Sequence, residues 1–422
     1  MTSISTLRAA PRAIDPDRWP DVASAAGSPG RAAVARALFV AAVARLPLRV
    51  RLPDGRAFGA GGPDAPIMEL RRPREFFRRF GASGLIGFGE AYMAGDWDSA
   101  DLTGLLTVFA LHAAELVPPV LQKLRWLAVR RQPAAHDQTV AGARRNIGRH
   151  YDLSNDLFAL FLDQTMTYSS ALFAVGPDGT PRAGDDLLAE AQRRKMDRLL
   201  DRAGVGPGCR VLEIGTGWGE LAIRAARRGA TVRSITISRE QAGLAARRVA
   251  EAGLADRVSV QLCDYRDVDG RYDAICSVEM LEAVGERYWD AYFAALDEHL
   301  APGGRAGLQA ITMAHDRMLA TRHTYTWIQK YIFPGGLLPS LTAVGDSLAR
   351  TRLRITGRED FGSHYAETLR IWRERFAGHA AEVAALGFDD VFTRMWTFYL
   401  CYSEAGFRAG YIDVSQLTLA RI

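Results

Sequence analysis

The sequence predicts an α/β fold, with a doubly wound, Rossmann-like parallel sheet in the larger C-terminal part and a smaller N-terminal accessory domain. Three observations predict it. Arg210–Gly219 reads Arg-Val-Leu-Glu-Ile-Gly-Thr-Gly-Trp-Gly, an apolar run that ends in an acid and then three glycines at alternate positions. That is a strand entering a tight turn, where no Cβ keeps backbone away from a ligand. Beyond it, strand-like runs alternate with helically spaced segments, the rhythm of βαβ units. Ahead of residue 144 the pattern differs, with short strand candidates and a glycine-rich stretch with interleaved aromatics, Gly84–Trp97.

The chain has 422 residues, enough for two domains. Residues 1–30, rich in Ala, Pro, Asp and Ser, are expected as a poorly ordered tail, and 31–117 as the accessory domain. Arg31–Leu52 carries Arg31, Arg36, Arg45, Arg49 and Arg51 and no acid. Two readings stay open for it. One is a basic amphipathic helix lying on lipid. The other is a core helix that runs into a strand near Leu48–Leu52 and a turn at Pro53-Asp54-Gly55. Residues 118–143, with Arg130-Arg131 and Pro133, read as a linker, and 144–422 as the second domain.

In the second domain Leu187–Ala203 has helical spacing. Strands are expected at Arg210–Ile214, Thr231–Ile237, Val258–Leu262, Tyr272–Val278 and Gly304–Thr312. Helices are expected from Glu220 to Arg228, Arg239 to Gly253 and Arg287 to Leu300. A strand at Leu353–Thr356, helices near Thr368–Ala385 and Asp389–Tyr402, and a strand at Tyr411–Ala420 follow. A ligand should sit at the carboxyl ends of the parallel strands.

Composition excludes several classes. The net charge is +5, and lysine occurs only at Lys123, Lys195 and Lys330, so the positive charge is arginine. Such a bias follows genome composition as readily as function, so no nucleic-acid partner is expected; a modest positive balance suits an anionic membrane surface. Cys209, Cys263, Cys276 and Cys401 show no C-x-x-C spacing. They read as free thiols in a reducing compartment, with no metal site. No signal-peptide core and no apolar stretch of roughly 18–20 residues is present, so the expected location is the cytoplasm, with peripheral membrane contact.

The glycine spacing is G-x-G-x-G and not the G-x-G-x-x-G of dinucleotide sites. The second strand ends Ser234-Ile-Thr-Ile-Ser-Arg-Glu-Gln241, without the acid that would hold an NAD ribose. Gln241 could reach ribose hydroxyls instead. Cys263-Asp-Tyr-Arg266 follows the third strand. There Asp264 suits an adenine exocyclic amine and Tyr265 the base face. Glu213 would hold a cationic amino-acid end. The pattern favours S-adenosylmethionine, and the sheet reads as that of a methyltransferase.

His150-Tyr-Asp-Leu-Ser-Asn-Asp, Thr167-Tyr-Ser, Glu213–Gly219, Glu279-Met-Leu-Glu-Ala-Val-Gly285, Ile332-Phe-Pro-Gly-Gly336 and His364-Tyr-Ala-Glu-Thr-Leu369 together resemble the cyclopropane-fatty-acid synthase family. The glycine turn is generic to methyltransferases; the combination is specific, and with Gly84–Trp97 the resemblance spans nearly the whole chain. It implies methyl transfer from S-adenosylmethionine to the cis double bond of a phospholipid acyl chain. By motif, Tyr168, Ser169, Gly215, Gly217, Thr236, Gln241, Asp264, Tyr265 and Arg266 would contact the cofactor, with Glu213 and Gly219 completing the site.

An alkene cannot be activated by removing a proton, so the sulfonium methyl must be aimed at it at close range. The carbocation that results needs a dry pocket, aromatic faces and a base. In the family that base is thought to be a bound bicarbonate. Glu282 and Tyr365 match two of its holders. Gln309 stands at the histidine position, and Ser170 and Ser403 stand at cysteine positions. Bicarbonate binding is therefore in question.

Gln309-Ala-Ile-Thr312 and Tyr402-Ser-Glu-Ala-Gly-Phe-Arg408 resemble the branch that makes 10-methylene fatty acids, on the route to 10-methylstearic (tuberculostearic) acid. Methyl addition at C10 of an oleoyl chain puts the cation at C9. A hydride shift moves it to C10, and loss of a methyl proton gives the methylene. Gln309 and Ser170 are the expected causes of that outcome; an unchanged product ratio after Gln309→His would count against the link. Cyclopropanation of the same chain is the close rival. A small-molecule N- or O-methyltransferase and a non-catalytic lipid-binding protein are the more distant ones. A separate flavin or nicotinamide reductase would act on the methylene, and the oligomeric state is open. The aromatic-rich Met313–Leu338 is either a core helix with a proline turn or a wall of the acyl channel.

Overall fold

The computed structural model describes residues 14–113, 133 and 154–421. The expected linker, apart from Pro133, and residues 150–153 of the His150–Asp156 motif lie outside them. The chain divides into two compact units, Met1–Leu105 with Asp389–Phe398, and Leu106–Phe388 with Tyr399–Ile422.

In the first unit β1 (Arg49–Arg51), β2 (Ala57–Phe58), β3 (Ile67–Leu70) and β4 (Trp97–Asp98) form a sheet in the order β2-β1-β3-β4. The hairpin from β1 to β2 turns at Gly55, whose φ of +86° is open to glycine. Helix Pro29–Val43 buries Phe39 and Val43, leaves Val34, Leu38 and Val40 exposed, and is followed by β1, so the helix-then-strand order expected for Arg31–Leu52 is present. Phe39 meets Phe76 edge to face at 5.3 Å between ring centroids. The unit also differs from the expected 31–117. Residues 20–23 of the expected tail are helical, and the buried Arg79 donates to the carbonyls of Asp21 and Ser24 at 2.9 and 2.8 Å. Residues 389–398 join because Arg394 donates to the Tyr92 carbonyl at 2.6 Å and lies over the Tyr92 ring.

The second unit is built on β5 (Arg210–Ile214), β6 (Thr231–Thr236), β7 (Val258–Leu262), β8 (Tyr272–Val278), β9 (Leu300–Met313), β10 (Leu353–Asp360) and β11 (Ile412–Arg421). Their order is β10-β11-β9-β8-β5-β6-β7. β5 to β9 run parallel, as expected. β11 runs antiparallel between β9 and β10, so the sheet is mixed and not purely parallel. Alternate residues serve opposite faces: Leu212 and Ile275 join one core, Val211, Ala274 and Cys276 the other. β9 extends four residues earlier than expected, because Leu300 already pairs with Tyr272 of β8.

The strand order reverses between β5 and β8. A crevice opens there above the carboxyl ends of the strands. Among the described residues no helix is long and apolar enough to cross a membrane, and no cluster of acids, His and Cys suits a metal ion.

Candidate functional site

Ten of the expected cofactor residues line one cleft at this switch point: Tyr168, Ser169, Glu213, Gly215, Gly217, Thr236, Gln241, Asp264, Tyr265 and Arg266. With its open mouth the cleft encloses about 1190 Å³ of space. Gly215, at φ +95°, faces Met280, and a Cβ there would come within 2.6 Å of the Met280 sulfur. Gly217, at φ +51°, borders open space. Gly219 is placed differently: it caps helix Glu220–Arg227, and a Cβ on it would meet Ala245 at 3.2 Å, so it serves helix packing.

At one end of the cleft the polar groups are already arranged. Ser238 caps helix Arg239–Glu251, and the Thr236 hydroxyl donates to the Gln241 side-chain oxygen at 2.9 Å. That leaves the Gln241 NH₂ group turned toward other acceptors. Arg266 grips the buried Asp264 with two hydrogen bonds of 2.8 and 2.7 Å. Its guanidinium also lies over the Tyr265 and Tyr288 rings, at 5.2 and 5.5 Å. The Tyr265 hydroxyl is buried without a hydrogen-bond partner among the described residues, and burial pushes it up to about 12.

Glu213, the penultimate residue of β5, has 2% of its surface exposed. Burial pushes its carboxyl up to about 8, against a hydrogen bond from the Ser234 hydroxyl that lowers it. A neutral acid at this point is prepared to ionise when a cation arrives.

The other end is organised by a residue that sequence reasoning passed over. Glu279 follows β8 with φ +52°, a left-handed backbone that a non-glycine residue rarely adopts. Three residues expected at the catalytic centre converge on its carboxylate. The Ser170 backbone N–H and the Gln309 Nε2 donate to Oε1, at 3.0 and 2.8 Å. The Tyr365 hydroxyl donates to Oε2 at 2.6 Å. Gln309 is aimed by its neighbour in the sheet: Gln416 of β11 donates to the Gln309 side-chain oxygen at 3.1 Å, which turns the NH₂ group to Glu279. Burial pushes the Glu279 carboxyl up; the Tyr365 hydrogen bond and the Lys195 ammonium oppose that. Lys195 is fully enclosed, donates to the Ser169 hydroxyl at 2.6 Å, and is pushed down to about 8 by burial.

Two expected roles change. Ser170 contributes its backbone, while its hydroxyl donates to the Ala171 carbonyl at 3.0 Å. Glu282 accepts the Ile311 backbone N–H on one oxygen, and its other oxygen is enclosed with no partner among the described residues. Burial, and then the charge of Glu279, push Glu282 up to about 8. The groups that could hold a bicarbonate, namely the Ser170 and Ile311 N–H groups, the Gln309 amide and the Tyr365 hydroxyl, thus already serve two protein carboxylates. A further anion beside those carboxylates is electrostatically disfavoured, and the residues do not fit one.

Tyr168 lines this end of the cleft, and further aromatic rings pack behind it. Tyr168 stacks on Trp372 at 5.2 Å, and its hydroxyl shares a 2.7 Å hydrogen bond with that of Tyr399. Tyr365 packs on Phe407 at 4.5 Å. Ser403 lies one turn from both Tyr399 and Phe407 on helix Asp390–Arg408, so it shares their face, although it does not line the cleft itself. Asn155, from the His150–Asp156 motif, accepts the Trp218 indole N–H at 2.8 Å and so braces the glycine turn. His364 accepts the Phe173 backbone N–H at 3.1 Å, and burial holds it neutral, at about 4. Within Met313–Leu338, Trp327 is buried in helix Trp327–Tyr331 while Leu319 and Phe333 are exposed.

Comparison with known proteins agrees with this geometry. The family described as "Mycolic acid cyclopropane synthetase" matches residues 138–417. The chain is 56% identical over 424 residues to tuberculostearic acid methyltransferase UfaA1 of Mycobacterium tuberculosis, covering 99% of each. It is 34% identical over 350 residues to cyclopropane-fatty-acyl-phospholipid synthase of Escherichia coli, covering 82% of this chain and 86% of that one. The solved structure of mycolic acid cyclopropane synthase CmaA1 with SAH and CTAB superposes with a TM-score of 0.59 at 32% identity. It covers 68% of this chain and 98% of that one.

Proposed function

The chain belongs to the mycolic acid cyclopropane synthetase family, and from that premise we propose that it methylates an oleoyl phospholipid at its cis double bond. The product is a 10-methylene acyl chain, the precursor of 10-methylstearic (tuberculostearic) acid. The observation that carries this reading is the aromatic cluster of Tyr168, Trp372, Tyr365 and Phe407 packed around the enclosed Glu279 carboxylate, of which Tyr168 and Glu279 line the glycine-turn cleft. A transferase acting on N or O would want a polar acceptor site there. Ring faces and a carboxylate suit a substrate that becomes a carbocation and then loses a proton.

The donor set fits S-adenosylmethionine. Glu213 would take the ammonium, Gln241 the ribose hydroxyls, and Asp264 the exocyclic amine, while Tyr265 covers the base. Bound there, the cofactor supplies an electrophilic methyl on a sulfonium. The chain's own contribution is placement and dryness: the glycine turn lets the ligand sit close, and the rings exclude water from the cation. The exposed Leu319 and Phe333, with Lys330 nearby, support an acyl chain drawn in from a membrane surface to which the protein attaches peripherally. Reduction of the methylene to a methyl falls to a separate flavin or nicotinamide enzyme, since the sequence has no second nucleotide fingerprint.

The test is proton NMR of lipid recovered after incubation of the protein with S-adenosylmethionine and oleoyl phospholipid vesicles. Mass does not separate the methylene and cyclopropane isomers. Vinylic exomethylene signals are expected; high-field cyclopropyl signals would instead make it a cyclopropane synthase, and unchanged oleate would overturn the substrate.

A further inference from the structure

We propose that Glu279 is the base of this reaction, a protein carboxylate built into the place where a bound anion would otherwise be held. The proposal rests on the function above. After methyl addition and the hydride shift, the substrate carries a tertiary cation at C10. A Glu279 oxygen takes a proton from the new methyl. The C–H electron pair becomes the exocyclic π bond, the cation is neutralised, and Glu279 is left as a carboxylic acid.

Four features of the site support this. Glu279 lines the cofactor cleft together with Glu213 and the glycine turn. Its two oxygens accept three donors, two at Oε1 and one at Oε2. A carboxylate offers about four lone-pair sites, so Oε2 keeps room for a proton. The donors come from separate segments, and Gln309 is itself aimed by Gln416. That much fixing describes a group held for a task, and so does a backbone kept at φ +52°.

Charge points the same way. Burial holds the carboxyl above its ordinary range, which makes it a stronger base once ionised. A sulfonium or carbocation beside it favours the ionised form, as Lys195 already does. Glu282 is the poorer candidate. One of its oxygens accepts the Ile311 N–H, the other is enclosed with no partner among the described residues, and burial, then the charge of Glu279, raise its carboxyl.

The test compares wild type, Glu279→Gln and Glu279→Gly in carbon-dioxide-free buffer, with and without added bicarbonate or formate, following methylene product by NMR. Affinity for S-adenosylhomocysteine reports whether each variant is folded. Glycine adopts φ +52° without strain, so Glu279→Gly keeps the test decisive if Glu279→Gln misfolds. Wild type should turn over equally with and without bicarbonate. Both variants should lose about 10²–10⁴-fold in kcat with binding retained, the contribution typical of general bases. Glu279→Gly should regain about tenfold or more when formate or bicarbonate enters the freed site. A wild type that needs bicarbonate, a glutamine variant at full rate, or a glycine variant that neither anion restores would each overturn the proposal and leave the function standing. A wild type that makes no methylated lipid would overturn both.

Discussion

At the nucleotide end of the cleft the charges are paired before anything binds. Arg266 holds Asp264 in a two-point grip, and two tyrosine rings lie under the guanidinium. The three enclosed acids Glu213, Glu279 and Glu282 differ: among the described residues no arginine hydrogen-bonds to them; they are met by N–H and O–H donors, and Lys195 supplies positive charge near Glu279. The first arrangement sets shape and barely responds to what binds. The second leaves acids above their ordinary range, ready to change protonation when a cation arrives.

That contrast can be broken at either end. After substitution of Glu279 itself, the largest effect is expected from Tyr365→Phe, which removes the donor on Glu279 Oε2. A hydrogen bond to a charged group contributes about 1.5–3 kcal/mol, so kcat should fall about 10–100-fold with the cofactor KM nearly unchanged. A KM change with kcat intact would place Tyr365 in cofactor binding. Asp264→Asn should do the reverse, raising the cofactor KM about tenfold while kcat stays within about twofold. Loss of kcat there would mean that the two ends are not separable.

A subtler effect is a proton. Glu213 sits at about 8 in the free protein, so it is protonated below that pH. A ligand ammonium prefers the carboxylate. Affinity for S-adenosylhomocysteine should therefore rise with pH up to about 8 and level off above it, by at most about tenfold per unit. Calorimetry across that range checks the sign, and Glu213→Gln should flatten the curve even though Glu282 and Lys195 titrate in the same window. The smallest effect is expected from Ser170→Ala. Only the backbone N–H reaches Glu279, so steady-state rates should stay within about twofold. A large loss would return the hydroxyl to the chemistry and reopen the link between Ser170 and product choice.

The nucleotide end was legible in the sequence because its residues sit at strand ends that local pattern reveals. A buried run ending in an acid and glycines gives Glu213 to Gly217, and the next two strand ends give Thr236, Gln241 and Asp264–Arg266. The same signal marked Glu279, an acid directly after the strand Tyr272–Val278. It was outweighed by the motif match of Glu282, three residues on. What pattern does not encode is a positive φ, or the fact that three distant donors meet on one carboxylate. The antiparallel β11 escaped for a similar reason: apolar alternation marks a strand and says nothing of its direction. Gly219 shows the limit of spacing, since a regular G-x-G-x-G conceals two glycines lining the cleft and one at a helix contact.

The pairing of Gln416 with Gln309 bears on the order in which the protein assembles. The glycine turn needs only β5, β6 and β8 beside it, whereas the Glu279 cluster needs Ser170, Tyr365 and finally β11 to dock and orient the amide. Contacts closing short loops form ahead of those closing long ones. A refolding chain should thus protect the Ile214 to Thr216 amides from exchange before those of β9 opposite β11, which pulsed hydrogen exchange can time. Cofactor would then stabilise a chain that has no working base, and the reactive methyl would meet an alkene only after the last strand has locked into the sheet.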